Sequence, residues 1–243
     1  GIIYRISIVL VFVQYSFNAI FSPMISELHG TNKLKDLEQL FKLQTRWAFS
    51  LTFPFLILLI IFPDQIMGVF GKTFVNGAMA LILISIGRFF DTIVGASGLM
   101  IMMVGKPKIN TINSLIILVI KVVLNIIMIP KYGLIGAAIS GALTIALLDL
   151  LRVCEVYFIL KIHPYNRKFL KPIIAATISS AMLFLTWQFF QTKSMDILHI
   201  VLYSAEFLMC YFGILFCLKL DEEDKFVLNL IYLKVFNINH NNN

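Results

Sequence analysis

Arg88 and Lys121 each lie inside a long apolar run. A cation at the centre of a bilayer costs about 2.5–3.5 kcal/mol on insertion scales, so two together cost roughly 5–7 kcal/mol unless a partner or a wet cavity relieves them. A basic, water-lined space would supply that relief, and the natural guest of such a space is an anion. Around Arg88, the residues Ser85, Asp91, Thr92, Gly95 and Gly98 recur at three- and four-residue spacing and share one helical face. Arg88 and Asp91 are i,i+3 neighbours that can pair. Two readings stand: a cavity-facing cation steadied by its own carboxylate, or a self-neutralising pair that packs helices, which Gly95 and Gly98 also suit.

Lys121 shares a face with Ser114 and Asn125, and no acid lies within a turn of it. Its partner must come from another helix, a ligand or water; the alternative is a side chain that snorkels towards a headgroup. Arg88, Lys121, Asn125 and Ser114 are therefore the candidate substrate-binding residues. In the last apolar run His199, Tyr203, Glu206, Cys210 and Gly213 share a face. A carboxylate at that depth either binds a coupling proton or cation or answers a distant base, so Asp91 and Glu206 are the candidates for coupling or counter-ion. Asp149, Arg152 and Glu155 stand at i,i+3 steps and read as an ionic ladder near the interface.

The elements that must position these residues are transmembrane helices. The chain is 59% hydrophobic and only 14% charged, too little charge for a soluble domain. Seven runs have the length needed to cross hydrocarbon: Ile6–Ile25, Trp47–Phe70, Gly77–Val104, Thr111–Ile129, Gly133–Leu160, Pro172–Phe190 and Ile197–Leu218. None shows the short alternating segments of a membrane barrel, so the fold class is all-α, a polytopic helical bundle. Pro130 and Gly133 bracket a very short connection, which makes the two helices they join antiparallel neighbours. Gly136 with Ser140, Ala137 with Gly141 and Ala138 with Ala142 repeat four apart and permit close backbone approach. Leu34, Leu37, Leu40 and Phe41 stand at helical spacing beside Lys33 and Arg46, the pattern of an amphipathic helix on the membrane interface.

Loop charge sets the orientation. Lys33, Lys35, Lys42, Arg46, Lys106, Lys108, Lys161, Arg167, Lys168, Lys171, Lys219, Lys225 and Lys234 fall on one side, against Lys72, Lys131 and Lys193 on the other. The positive-inside rule places the richer side, with the C-terminus, in the cytoplasm. The expected location is the cell membrane, multi-pass. The net charge of +7 thus reflects orientation and contact with anionic membrane lipids, and nucleic acid is not an expected partner. The chain starts at Gly1 without a signal peptide, which reads as a C-terminal piece of a longer protein.

No enzyme motif is present. There is no phosphate-binding glycine loop, no nucleophile elbow, and no metal spacing among His29, His163, His199 and His240. Cys154, Cys210 and Cys217 lie in apolar segments without ligand spacing. No cofactor is called for, and the chain is not expected to be an enzyme.

Three stretches carry a family likeness: Phe17 to Ser26 with the basic linker after it; Phe53-Pro54-Phe55 through Phe62-Pro63 to Val69-Phe70-Gly71; and Gly105-Lys106-Pro107-Lys108, then Leu124-Asn125 through Pro130-Lys131-Tyr132-Gly133 into Gly136-Ala137-Ala138. Their order resembles the C-terminal half of the polysaccharide exporters, or Wzx-type flippases, of the multidrug/oligosaccharidyl-lipid/polysaccharide exporter superfamily. The resemblance covers the chain up to about Leu160 and implies a fold of two helical bundles. Residues 1–160 would then form the core of the C-terminal bundle, 161–220 two additional helices, and 221–243 a cytoplasmic tail. It also implies a transporter that flips polyprenyl-pyrophosphate-linked oligosaccharide, working beside other polysaccharide assembly proteins. A multidrug exporter of organic cations is the alternative within the superfamily. A membrane polymerase or ligase of glycan assembly is the alternative outside it.

Overall fold

The computed structural model describes residues 2–190 and 197–218. Lys193, the loop cations from Lys219 onward and the expected tail 221–243 lie outside the described residues. The order is α1 (Ile2–Ser7), α2 (Val9–Gly30), α3 (Leu34–Ile61), α4 (Pro63–Gly68), a 3-10 turn (Lys72–Gly77), α5 (Ala78–Ile93), α6 (Ser97–Met103), α7 (Pro107–Leu160), a second 3-10 turn (Arg167–Phe169), α8 (Leu170–Phe190) and α9 (Ile197–Cys217). No strand occurs among the described residues. Six helical segments are long and apolar enough to cross a membrane. This is an all-α multi-pass membrane bundle.

α7 contains two of the seven predicted spans. Its 54 residues are interrupted at Gly133, which has φ 55° and ψ −126°. A straight helix would separate Asn113 from Glu155 by about 63 Å, 42 residues at 1.5 Å each. Instead Asn113 Nδ2 donates to Glu155 Oε2 at 2.7 Å. The helix is therefore folded into an antiparallel hairpin with arms 107–132 and 134–160. Gly136 sits directly against the Met128 carbonyl, a place no Cβ can occupy. The turn needs glycine twice, for left-handed backbone at 133 and for contact at 136.

The predicted span Gly77–Val104 is not one helix. It breaks between Ile93 and Ser97, where Gly95 has φ +62° and packs on the Thr45 side chain. Ser97 Oγ donates to the Val94 carbonyl at 2.6 Å and caps the break. Backbone that leaves the helix at membrane depth is tolerated where protein surrounds it, and Val94, Ala96 and Ser97 are all buried. Gly98 therefore lies on a separate helix from Ser85, Arg88 and Thr92.

The segment expected to lie on the interface is also different. Residues 34–46 continue without interruption into α3, and Leu37, Leu40 and Phe41 are buried against Phe17, Phe21 and Ile25 of α2 and Met100 and Ile101 of α6. Their apolar stripe is covered by protein, not lipid. Arg46, counted above among loop cations, is only 4% exposed. A second core joins Leu10, Phe49, Leu56, Leu81 and Phe89, with Phe49 and Phe53 stacked at 4.9 Å. The α8–α9 pair docks on α3 through Leu58, Phe62, Leu183, Tyr203 and Phe207. Tyr211 OH donates to the Ser50 carbonyl at 2.8 Å and fixes α9 there.

Candidate functional site

α5 meets the second arm of α7 so closely that a Cβ on Gly87 would fall 2.5 Å from Ala142 Cα. Such small-on-small contact is how membrane helices bring their backbones together. Along this joint the two helices face each other with charged side chains. α5 supplies Arg88, 7% exposed, and Asp91, while α7 supplies Asp149, 1% exposed, and Arg152. Arg152 Nη1 lies 3.3 Å from Asp149 Oδ1. Its guanidinium covers Gly98, where a Cβ would stand 3.2 Å from Nε. The three-residue step of the ladder places Asp149 and Arg152 side by side, and the hairpin turns them inward.

Arg88 and Asp91 do not form the ion pair their spacing allows: no N···O distance within 4.0 Å joins them. Arg88 instead lays its guanidinium over the Tyr4 ring of α1, 4.1 Å from the centroid. Such a contact is worth about 0.5–2 kcal/mol, more when water is excluded. Arg88 Nε has no hydrogen-bond partner among the described residues. Asp91 interacts electrostatically with Arg152 first and Arg88 second, and Asp149 feels Asp91 as well as Arg152. The four groups stand on the same joint, and among them only Arg152 and Asp149 are in direct contact.

Lys121 lies elsewhere. It is exposed on the first arm of α7, on a helix surface that also exposes Leu118, Val122 and Ile126. Ser114 is exposed and Asn125 half-buried on the same arm. Ser114 Oγ donates to the Asn110 carbonyl at 2.8 Å, which leaves its lone pairs outward. The structure thus keeps Ser114, Lys121 and Asn125 on one helix and sets Arg88 apart in the buried joint. Glu206, half-buried in α9, accepts from Thr186 Oγ1 at 3.3 Å. No cluster of metal-ligating side chains occurs among the described residues.

Sequence reasoning did not anticipate that Asp149 and Arg152 join Arg88 and Asp91. A signal existed. A turn at Gly133 pairs residues whose numbers sum to about 268, as Asn113 and Glu155 do, and fixes which face of the second arm is left for α5.

No protein-family model matches this chain. It is similar to the probable low-salt glycan biosynthesis flippase Agl15 of Haloferax volcanii, 26% identical over 141 residues, covering 58% of this chain and 30% of that protein. It is similar to the uncharacterized membrane protein MJ1068 of Methanocaldococcus jannaschii, 27% identical over 175 residues, covering 70% and 34%. A third relative is the capsular polysaccharide biosynthesis protein CapF of Staphylococcus aureus, 27% identical over 147 residues, covering 60% and 36%. The chain spans about a third of the length of the curated relatives it matches.

Proposed function

We propose that this chain serves glycan or polysaccharide biosynthesis at the membrane, as the C-terminal bundle of a transporter that flips a polyprenyl-pyrophosphate-linked oligosaccharide across the cell membrane. Its C-terminus faces the cytoplasm on this reading, and no covalent bond is made or broken. Two relatives whose names concern glycan flipping and capsular polysaccharide support the reading.

The observation that carries it is Lys121. An exposed ammonium on an apolar helix, with no acid within a turn, is costly in hydrocarbon and useful against a pyrophosphate. Asn125 offers an amide to sugar or phosphate, and the outward lone pairs of Ser114 accept from a sugar hydroxyl. Arg88 reaches the substrate only once Tyr4 leaves its guanidinium face. The polyprenyl tail stays in lipid while the bundles rock about the headgroup.

An organic-cation exporter would need an acidic face, and the exposed arm of α7 presents Lys121 instead. A polymerase or ligase would need a sizeable aqueous loop, and the connections among the described residues are short. In the full-length protein, Lys121→Ala is expected to stop surface glycan export and trap precursor on the cytoplasmic side, with normal membrane abundance, while Lys121→Arg retains export. Undiminished export in Lys121→Ala would overturn the reading.

A further inference from the structure

We propose that Asp91 and Asp149 share a proton-binding site inside the α5–α7 joint. Asp149 is 1% exposed and buried in the bundle. Only Oδ1 is occupied, by Arg152 at 3.3 Å; Oδ2 has no hydrogen-bond partner among the described residues. Asp91 stands on the same joint from α5, about one turn beyond Gly87, as Asp149 stands about two turns beyond the Ala142 that Gly87 meets, and it forms no ion pair within 4.0 Å among the described residues.

The surroundings say why a proton is the fitting ligand. Among the described residues, two charged side chains bear on the pair. From α5 comes Arg88, which lies over Tyr4 of α1. From α7 comes Arg152. α6 presents Gly98, and α3 presents Thr45 at the helix break. An ionised carboxylate is acceptor-only, and the buried Asp149 has one oxygen that no donor among the described residues answers, with the half-buried Asp91 facing the same joint. One proton turns one carboxyl oxygen into a donor that the other carboxylate can accept, and such a pair titrates as a unit. A metal ion fits less well, because the Arg152 guanidinium already stands beside Asp149.

The step is a simple transfer. An O–H bond to water or hydronium breaks and an O–H bond to a carboxylate oxygen forms. Together Arg88, Arg152, Asp91 and Asp149 then pass from zero to one positive charge. The neutral carboxyl no longer offsets the guanidiniums of the joint, and their unbalanced charge favours separation of α5 and α7, which meet at Gly87 and Ala142. Release of the proton lets them close. The consequence for transport rests on the flippase reading; the proton site does not.

The test uses infrared difference spectra of the full-length protein in liposomes, recorded between acid and alkaline buffers. The expected result is a protonated-carboxyl band that titrates in the unmodified protein, disappears in Asp149→Asn, and is lost or shifted in Asp91→Asn. Asp149→Glu should restore it at a different position. Glu206→Gln and Lys121→Ala should leave it unchanged. Gel filtration identifies any variant that fails to fold, and Asp91→Asn with the unmodified protein decides the matter if Asp149→Asn is one of them. A band indifferent to both aspartates, or one removed by Glu206→Gln alone, overturns the proposal. Failure of Lys121→Ala to reduce binding of lipid-linked precursor would sink the flippase reading and leave the band, and hence this site, standing.

Discussion

Gly87→Ala offers a quantitative test of the α5–α7 joint. The added methyl would fall 2.5 Å from Ala142 Cα and 2.7 Å from Ala142 Cβ, and ordinary contact begins near 3.4 Å. The helices must therefore separate by about 1 Å along a surface packed at the density of a crystal. Overpacking of this kind costs about 1–3 kcal/mol. That corresponds to roughly a 5- to 150-fold loss in the folded-to-unfolded ratio. Thermal unfolding of the purified protein in detergent should show a lowered midpoint, with Gly141→Ala, where a Cβ meets nothing within 4 Å, as the unaffected control. Adding Ala142→Gly removes the Cβ clash but leaves the Cα clash, so the double variant should recover part of the loss and not all of it. An unchanged midpoint in Gly87→Ala, or full recovery in the double variant, would refute the claim that the backbones themselves are in contact here.

Two further outcomes follow from the geometry. Gly95→Ala should destabilise more than Gly87→Ala, because it adds left-handed backbone strain to a clash with Thr45; pairing it with Thr45→Gly should restore only the steric share, read from the same unfolding midpoints. Tyr211→Phe removes one hydrogen bond to the Ser50 carbonyl and should cost about 0.5–1.5 kcal/mol, seen as faster proteolysis of the α8–α9 pair while α2–α7 remain protected.

Apolar runs made the helices legible, because hydrocarbon leaves the backbone few alternatives and the length of each run registers that constraint directly. The hairpin was legible from Pro130 and Gly133 for a local reason: proline restricts the backbone and lacks a helix donor, and glycine admits a turn conformation that other residues avoid. The break at Gly95 was not. A glycine that packs and a glycine that turns the chain look alike in one dimension, and only the approach of Thr45 decides between them. The fate of Leu37, Leu40 and Phe41 was hidden by another degeneracy, since an amphipathic stripe fits a membrane surface and a protein groove equally well. The convergence of Asp149 on Asp91 depends on register between helices more than fifty residues apart. Hydropathy carries no record of that register, whereas the i,i+3 neighbourhood of Asp149 and Arg152 is local and was readable.

The α7 hairpin is fastened at both ends, by the Gly133 turn and by the Asn113–Glu155 bond, so its two arms tilt as a single lever. One arm bears Asp149 and Arg152 and the other bears Lys121. Lys121 stands 12 residues from the pivot at Gly133, about 18 Å along the axis, so a ten-degree swing carries it on the order of 3 Å. That travel matches the reach of a hydrogen bond. A small rearrangement beside α5 would thereby displace the ammonium on the far arm by about the length of a hydrogen bond.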